Sequence, residues 1–314
     1  MAVELSVVVP VYNEEANISE LTARLRAVLE PLVTTWELVF VDDGSHDGSW
    51  ELIRALAAQD LRVRGVRLSR NFGHQMAFAA GLDHARGEAA VIMDADLQDP
   101  PELIPELVGR WREGFEVVYG VRTQRTGEGV FKRLTAAVFY RLLRRITKVD
   151  IPLDTGDFRL MGRRALEAFH RLPERHRFTR GLVAWLGFPQ VGVPYAREAR
   201  RAGETGYPLR KMVRLALDAI TSFSHVPLQV ATVLGFAVSA FAFAYIVVVI
   251  VLKIVGISWP GYTSLMAAIL FLGGVQLVMI GLFGEYLGRV YDEVKRRPLY
   301  FIQETVGGEF ETSG

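Results

Sequence analysis

The chain has 314 residues, half of them hydrophobic, with a net charge of +1 and no cysteine. The absence of cysteine excludes disulfide scaffolds, thiolate metal sites and cysteine nucleophiles. A net charge this close to zero argues neither for nor against nucleic acid, so the placement of the charges and of the apolar residues carries the information.

The sequence pattern of residues 1–125 predicts βα units on a mostly parallel sheet. Short apolar runs alternate with stretches whose apolar residues lie three and four positions apart. Polar residues follow these runs, at the strand ends where sheets of this type bind their ligands. The pattern therefore indicates a nucleotide site. The predicted strands are Leu5–Val9, Glu37–Val41, Val63–Leu68, Ala90–Met93 and Glu116–Tyr119.

The ends of the first two predicted strands carry candidate nucleotide contacts. Asp42 and Asp43 can accept hydrogen bonds from a base or from ribose hydroxyls, or they can form a turn and cap the next helix. Tyr12 can lie against a nucleobase. Asn13 and Glu14 can cap the helix that follows them.

Two carboxylates, Asp94 and Asp96, follow the fourth predicted strand. At this spacing they can converge on a divalent cation, and ligands that are all oxygen select Mg²⁺ or Mn²⁺. Gln98 can add a neutral oxygen. The alternative is a solvated loop or a helix cap before Pro100 and Pro101.

Asp157 lies two positions before Arg159 in a glycine-containing segment, where it is either one half of a structural ion pair or a catalytic base. Arg122 and Arg125 follow the last predicted strand, a position that suits a diphosphate. The sequence has no P-loop, no dinucleotide-binding glycine motif and no serine-nucleophile motif, so hydrolase and dehydrogenase interpretations lack their residues.

Residues 126–226 contain two basic amphipathic segments, Val130–Lys148 and Leu209–Val226. Such helices suit an anionic membrane surface, and a solvated helix face has the same pattern. The cations that we expect to contact the membrane or a lipid phosphate are Lys132, Arg133, Arg210, Lys211 and Arg214.

Residues 227–288 contain two apolar runs, Pro227–Gly256 and Tyr262–Leu287, each long enough to cross a bilayer. The short connection Ile257–Gly261 predicts a hairpin, with a pair of buried core helices as the alternative. Positive charge before the first run and after the second is typical of the cytoplasmic side. We expect an inner-membrane, multi-pass protein whose catalytic domain and termini, including a tail at 289–314, are cytoplasmic.

Together these segments resemble the inverting, GT-A-fold glycosyltransferases of family 2 that act on polyprenyl phosphates, most closely the GtrB-type bactoprenyl glucosyltransferases. The resemblance implies an α/β fold of the GT-A (Rossmann-like) type. Its mostly parallel sheet is flanked by helices and joined to amphipathic interface helices and a two-helix transmembrane hairpin. It rests on VVVPVYNEE (7–15), VDDGS (41–45), LSRNFGHQ (68–75), DADLQDPPE (94–102), TGDFRLM (155–161), LPERHRF (172–178) and GEYLGRVYDEVKRRPLY (284–300).

The resemblance also implies residue roles. Asp157 and Asp96 are expected to be catalytic, and Arg122 is expected to contact a phosphate. Relatives commonly carry a lysine where this chain has Gly206. The implied metal ligands, for Mg²⁺ or Mn²⁺, are Asp94, Asp96 and Gln98. The implied nucleotide-sugar contacts are Pro10, Tyr12, Glu14, Asp42, Asp43, Asp94 and Arg122.

The implied reaction transfers a hexose, glucose from UDP-glucose in the first instance, to undecaprenyl or another polyprenyl phosphate for cell-envelope or O-antigen glycosylation. Mannose, an N-acetylhexosamine or an aminoarabinose-type sugar are alternatives. The implied partners are the membrane, a flippase, a downstream transferase and further copies of the chain, but not nucleic acid. A processive polysaccharide synthase would carry Gln-x-x-Arg-Trp, whereas Leu107 precedes Arg110-Trp111 here. A non-catalytic nucleotide-binding membrane scaffold is the alternative from another class.

Overall fold

The computed structural model describes residues 3–123, 155–172, 174, 179–196, 226–256 and 261–308. The described chain divides into two compact units. One, here called the catalytic unit, contains the described residues up to 196 and those from 297 onward. The other, here called the hairpin unit, contains the described residues between 226 and 296.

The strands of the catalytic unit form one mixed sheet in the spatial order β7-β5-β6-β4-β1-β2-β3-β8. Strands β6 and β8 run antiparallel to their neighbours, and the other pairings are parallel. The prediction of a mostly parallel α/β sheet is confirmed. The strands are β1 (Leu5–Val11), β2 (Trp36–Asp42), β3 (Val63–Leu68), β4 (Ala89–Ile92), β5 (Val117–Arg122), β6 (Thr155–Gly162), β7 (Gln190–Tyr195) and β8 (Ile302–Val306).

Helices cover the sheet because their apolar residues recur on one face. In the first helix Ile18, Leu21, Leu25 and Leu29 are all fully buried. Each such side chain contributes about 1.5–3 kcal/mol relative to an exposed position. The helices are α1 (Glu15–Leu29), α2 (Ser49–Gln59), α3 (His74–Asp83), α4 (Ile104–Arg112), α5 (Arg163–His170) and α6 (Thr179–Trp185), with a 3₁₀ turn at Pro101–Leu103.

The first strand runs further than the sequence indicates. We expect it to close at Pro10, but β1 continues to Val11, and Pro10 lies opposite Val41 of β2. Strand β4 pairs with β1 only as far as Val8. At Pro10, therefore, β1 has a neighbour on one side only, where the missing N–H of proline is tolerated.

The sheet gains an edge strand from the region expected to be a tail. Strand β8 pairs with β3, with Glu304 opposite Arg67 and Val306 opposite Gly65. A Cβ atom on Gly65 would lie 2.6 Å from Ile53 Cγ2 and 2.8 Å from Val306 Cγ2. The absence of a side chain at Gly65 is what lets β8 and α2 both approach β3.

The hairpin unit consists of two long apolar helices, α7 (Val226–Ile254) and α8 (Tyr262–Lys295). Helix α8 extends past the predicted run to Lys295, and Arg296 follows in the left-handed region with φ 47°. Both helices are long and apolar enough to cross a membrane, and none of the residues in their most apolar stretches is buried. Large exposed apolar surfaces of this kind mark lipid or protein contacts, so the hairpin unit associates the chain with a membrane.

Candidate active site

A cavity of about 290 Å³ opens at the carboxyl ends of β1, β2 and β4 in the catalytic unit. Its position follows from the parallel pairing of these strands, which brings their ends to one edge of the sheet. Six of the residues selected from the sequence lie on its wall. The lining residues are Pro10, Val11, Tyr12, Glu14, Asp43, Asn71, Gly73, His74, Ala77, Asp94, Ala95 and Asp96.

The loop after β1 presents Tyr12 to this cavity, with 44% of the residue exposed. The next residue, Asn13, has φ 56°, in the left-handed region that asparagine tolerates. Its Oδ1 accepts a hydrogen bond from the His46 N–H at 2.8 Å, and its own N–H donates to Ser45 Oγ at 3.0 Å. Asn13 therefore joins the first two strand-end loops.

The expectation that Asn13 or Glu14 caps the first helix is wrong. Glu14 occupies the cap position of α1, but its side chain makes no capping hydrogen bond. Instead, Glu14 Oε2 accepts a hydrogen bond from Asn17 Nδ2 at 2.6 Å. The Asn13 side chain accepts from the His46 N–H, so neither residue supplies a side-chain oxygen to the helix terminus.

The two acids after β2 have different environments. Asp42 is fully buried, with Oδ1 accepting from the Ser45 N–H at 3.1 Å and Oδ2 lying 3.3 Å from Arg67 Nε. Asp42 is not among the lining residues, so it supports the turn. Asp43 does line the cavity. Burial raises the pKa of both carboxyl groups.

Backbone amides fix the orientation of Asp43. Its Oδ1 accepts from the Phe72 N–H at 2.7 Å, and its Oδ2 accepts from the Gly73 N–H at 2.9 Å. Both donors belong to the loop between β3 and α3. The carboxylate is thus held from two directions before any ligand binds, which is the kind of preorganisation that a binding site needs.

Asp94 and Asp96 lie on the cavity wall after β4. Asp94 Oδ1 is 3.1 Å from His74 Nε2, and Asp96 Oδ1 accepts from the Gln98 N–H at 3.1 Å. Gln98 is buried and does not line the cavity. It contacts Asp96 through its backbone N–H, not through its side chain. Within the described ranges no group of three or more His, Cys, Asp or Glu residues is arranged to hold a metal. Two carboxylates on one cavity wall nevertheless fit a hard divalent cation that takes its other oxygens from a ligand and water.

Asp157 lies on β6, where it is buried among cations. Arg180 Nε lies 3.0 Å from its Oδ1 and Arg180 Nη2 lies 3.2 Å from its Oδ2. Arg159 Nη2 is 3.8 Å from Oδ1 and also donates to the Gly156 carbonyl at 3.1 Å. Gln75 Nε2 donates to Oδ2 at 3.5 Å.

These contacts fix the charge of Asp157. Burial alone would raise its pKa, but the charge and hydrogen bonds of Arg180 and the charge of Arg159 bring the pKa of Asp157 down to about 2. Burial lowers the pKa of the Arg159 guanidinium to about 10. Burial would also lower the pKa of His74, but the hydrogen bond and charge of Asp94, and the charge of Asp157, raise it above its usual value. Asp157 is therefore an anion at neutral pH and a poor proton acceptor.

Arg122 ends β5 and is held by Tyr195 of β7. Arg122 Nε donates to Tyr195 Oη at 3.3 Å, and Tyr195 Oη in turn donates to Asp99 Oδ1. A Cβ atom on Gly156 would lie 2.5 Å from Arg122 Nη2, so the glycine makes room for the guanidinium. Arg122 is thereby connected to the aspartate that follows the Asp94–Asp96 loop.

The family model described as Glycosyl transferase family 2 matches residues 6–169, more than half of the chain. The chain belongs to glycosyl transferase family 2. A second model, described as GtrB C-terminal hairpin, matches residues 226–290 and so covers α7 and most of α8. This family 2 member is therefore a transferase that carries a membrane hairpin of the GtrB kind.

Relatives align along almost the whole of this glycosyltransferase. It is 51% identical to the uncharacterized glycosyltransferase YkcC of Bacillus subtilis (strain 168), over 98% of this chain and 95% of the relative. It is 44% identical to the SfII prophage-derived bactoprenol glucosyl transferase of Shigella flexneri, over 97% of this chain and 99% of the relative. The solved structure of S. aureus TarS 1-349 in complex with UDP-GlcNAc has a TM-score of 0.48 at 19% identity, covering 70% of this chain and 66% of that one.

Several wall residues of this family 2 chain received no role from the sequence. Asn71, Gly73 and His74 belong to the segment LSRNFGHQ. The family resemblance rests partly on this segment, but the resemblance does not indicate which of its side chains face the site. Arg180 has no local signal, because its partner Asp157 lies 23 positions earlier. The cations expected to contact lipid, together with Arg125 and Gly206, lie outside the described residues. These cations are Lys132, Arg133, Arg210, Lys211 and Arg214.

Proposed function

We propose that this glycosyltransferase moves a hexose, glucose in the first instance, from a UDP-sugar to a polyprenyl phosphate with inversion at the sugar carbon. The observation that carries the proposal is the 44% identity, over 97% of the chain, to a protein named bactoprenol glucosyl transferase. The presence of both the transferase domain and the GtrB hairpin in one chain supports it.

The cavity is the proposed donor site. Pro10, Tyr12 and Asp43 would receive the nucleoside, because an exposed aromatic ring and a fixed carboxylate suit a base and its hydrogen-bond donors. Asp94 and Asp96 would hold Mg²⁺ or Mn²⁺, and Gln98 would support Asp96 through its backbone N–H. When bound, the ion neutralises negative charge on the diphosphate leaving group. Arg122 would add positive charge to the same group, and Glu14 would border the pocket.

The acceptor needs little help from a base. A phosphate monoester has a second pKa of about 6, so it is already mostly an anion that can attack the sugar carbon at neutral pH. Asp157, with a pKa of about 2, is unsuited to removing a proton. Its proposed role is to place a fixed negative charge beside the site, where positive charge develops on the sugar ring during transfer.

The hairpin unit would anchor the enzyme in the bilayer that also contains the lipid tail of the acceptor. This arrangement confines the enzyme and its lipid acceptor to one surface and so reduces the cost of bringing them together. We propose that the catalytic unit and both ends of the chain face the cytoplasm, and that the basic residues at 132, 133, 210, 211 and 214 contact the interface. The product would then serve a flippase and a downstream transferase, and several copies of the chain would assemble together.

The test is transfer of labelled sugar to undecaprenyl phosphate by the purified full-length protein in lipid nanodiscs. UDP-glucose, UDP-galactose, UDP-N-acetylglucosamine and GDP-mannose are offered separately, each with and without the lipid. We expect a lipid-linked sugar from UDP-glucose only when lipid is present. Binding of UDP-glucose without turnover would instead indicate a nucleotide-binding scaffold, and turnover of another donor alone would reassign the sugar.

The same assay tests the metal. We expect excess EDTA to abolish transfer and Mg²⁺ or Mn²⁺ to restore it. Asp96→Asn should lose at least about 100-fold in kcat, as expected when a group that stabilises transition-state charge is removed. The matched control is Glu113→Gln, which removes an exposed carboxylate paired with Arg110 and should leave transfer unchanged. Full activity in the chelator would refute the metal assignment.

A further inference from the structure

The stretch Tyr300–Val306, here called the C-terminal segment, contacts the loop Ser69–Gly73 between β3 and α3. The Ser69 N–H donates to the Phe301 carbonyl at 2.9 Å. The rings of Phe301 and Phe72 lie 6.4 Å apart between centroids, at 50° to each other. The Tyr300 hydroxyl donates to Asp83 Oδ2 at 2.7 Å, at the last residue of α3.

That loop is one wall of the proposed donor pocket. Asn71 and Gly73 line the cavity, and the N–H groups of Phe72 and Gly73 hold the two oxygens of Asp43. Gly73 has φ 99°, a conformation that other residues rarely adopt. The direction of the Asp43 carboxylate therefore depends on where this loop lies.

Strand β8 is also connected to Asp42, the acid next to Asp43, through a chain of side-chain contacts. Glu304 Oε2 accepts a hydrogen bond from Trp50 Nε1 at 3.1 Å. The Arg67 guanidinium lies 5.7 Å from the centroid of the Trp50 ring, and Arg67 Nε lies 3.3 Å from Asp42 Oδ2. Side chains of the C-terminal segment thus support both acids that follow β2.

We infer that Phe301 is a positioning residue for the donor nucleotide, acting through Phe72 on the two backbone amides that orient Asp43. The inference rests on the proposed function, in which the cavity receives the nucleotide-sugar. Phe301 is 56% exposed and Phe72 is only partly buried, so the pair contributes little to the core. The contact between Phe301 and Phe72 lies on the loop that forms one wall of the pocket, and a small shift of this loop moves Asp43.

The positions of these residues also link the membrane anchor to the pocket in sequence. Helix α8 ends at Lys295, and the C-terminal segment begins five residues later at Tyr300. The chain that leaves the apolar helix is thus the same chain that holds the pocket loop.

Three variants of the full-length protein test the inference. Phe301→Ala removes the ring, Phe301→Tyr keeps it, and Gln303→Ala changes an exposed residue of the same C-terminal segment as a matched control. For Phe301→Ala we expect faster amide exchange at Phe72 and Gly73 and a rise of about fivefold in the KM for UDP-glucose, the size expected of one aromatic pair. The KM for the lipid should not change, and Phe301→Tyr should restore both values.

Each result decides a separate point. Equal exchange and equal KM in Phe301→Ala and Gln303→Ala would overturn the inference. A general loss of kcat and melting temperature that Phe301→Tyr does not rescue would reduce Phe301 to a structural role and also overturn it. If the wild-type chain neither bound nor used any nucleotide-sugar, the proposed function would fail, while amide exchange would still decide whether Phe301 holds the loop.

Discussion

Replacing Asp157 by asparagine removes a buried negative charge that arginines surround. The size of the effect follows from the pKa of this group, which falls from 3.8 to about 2 in the folded protein. At 1.36 kcal/mol for each pH unit, the ionised carboxylate contributes about 2 kcal/mol to folding. For a domain of this size, that free energy corresponds to about 4–8 °C in melting temperature.

The pKa of Asp157 also fixes the direction in which stability changes with pH. The folded pKa lies below the unfolded one, so the stabilisation is complete above about pH 4 and is lost as the pH falls towards 2. The difference in melting temperature between the wild type and Asp157→Asn should therefore be largest near pH 7 and should shrink below pH 4. Thermal unfolding in detergent, followed at pH 7, 5, 4 and 3, measures this difference.

A matched control separates a buried charge from an exposed one. Glu167→Gln removes an exposed carboxylate that pairs with Arg163 one helical turn away, and it should change the melting temperature by less than about 2 °C. If Asp157→Asn were as stable as the wild type at pH 7, the reasoning about buried charge would be refuted. A stability difference that stayed constant from pH 7 to pH 3 would refute it as well.

Three further predictions follow from the structure and the sequence. Gly44→Ala should weaken UDP binding at least about tenfold by calorimetry, because Gly44 has φ +74° and a Cβ would lie 2.7 Å from the backbone carbon of Arg70; unchanged affinity would contradict this. Glu37→Gln should lower the free energy of unfolding by about 3–5 kcal/mol in urea, because it removes the negative charge that lies 2.9 Å from the buried Arg64 guanidinium; a loss below 1 kcal/mol would show that this charge is dispensable. Because the chain has no cysteine, single cysteines can map its topology: one within Ile257–Gly261 should react with an impermeant reagent from outside and one near either end should not, and the reverse pattern would reject the proposed orientation.

Five strands could be predicted because each is a short, largely apolar run. Once β1, β2 and β4 are parallel, their ends must meet, and Tyr12 and Asp94 then share a cavity although 82 positions separate them. This argument uses only strand direction, so it locates a site without any knowledge of side-chain packing. It could not tell Asp42 from Asp43, because which of two adjacent acids is buried depends on the turn that follows.

The residues that the sequence did not reveal depend on contacts between distant elements. Strand β8 is short and half polar, and only its pairing with β3 makes it a strand. Arg180 belongs to the site because α6 brings it to Asp157 on β6. His74 begins α3, and its Nε2 lies 3.1 Å from Asp94 Oδ1 on the cavity wall. Arg180 and β8 form no motif with a close neighbour in sequence, and the motif that contains His74 does not show which of its side chains faces Asp94. Periodicity and spacing therefore cannot indicate these contacts.

The pairing of β8 with β3 also sets an order of events during synthesis. Strand β3 is complete roughly 230 residues before its partner leaves the ribosome, an interval of about 10–50 s at the usual rates of elongation. During that time both membrane helices are made while one edge of the sheet has unpaired backbone groups, the kind of edge that invites aggregation. Maturation of this enzyme therefore finishes only after its membrane helices have been synthesised, and a ribosome that stalls within them leaves a nascent catalytic unit with an open edge.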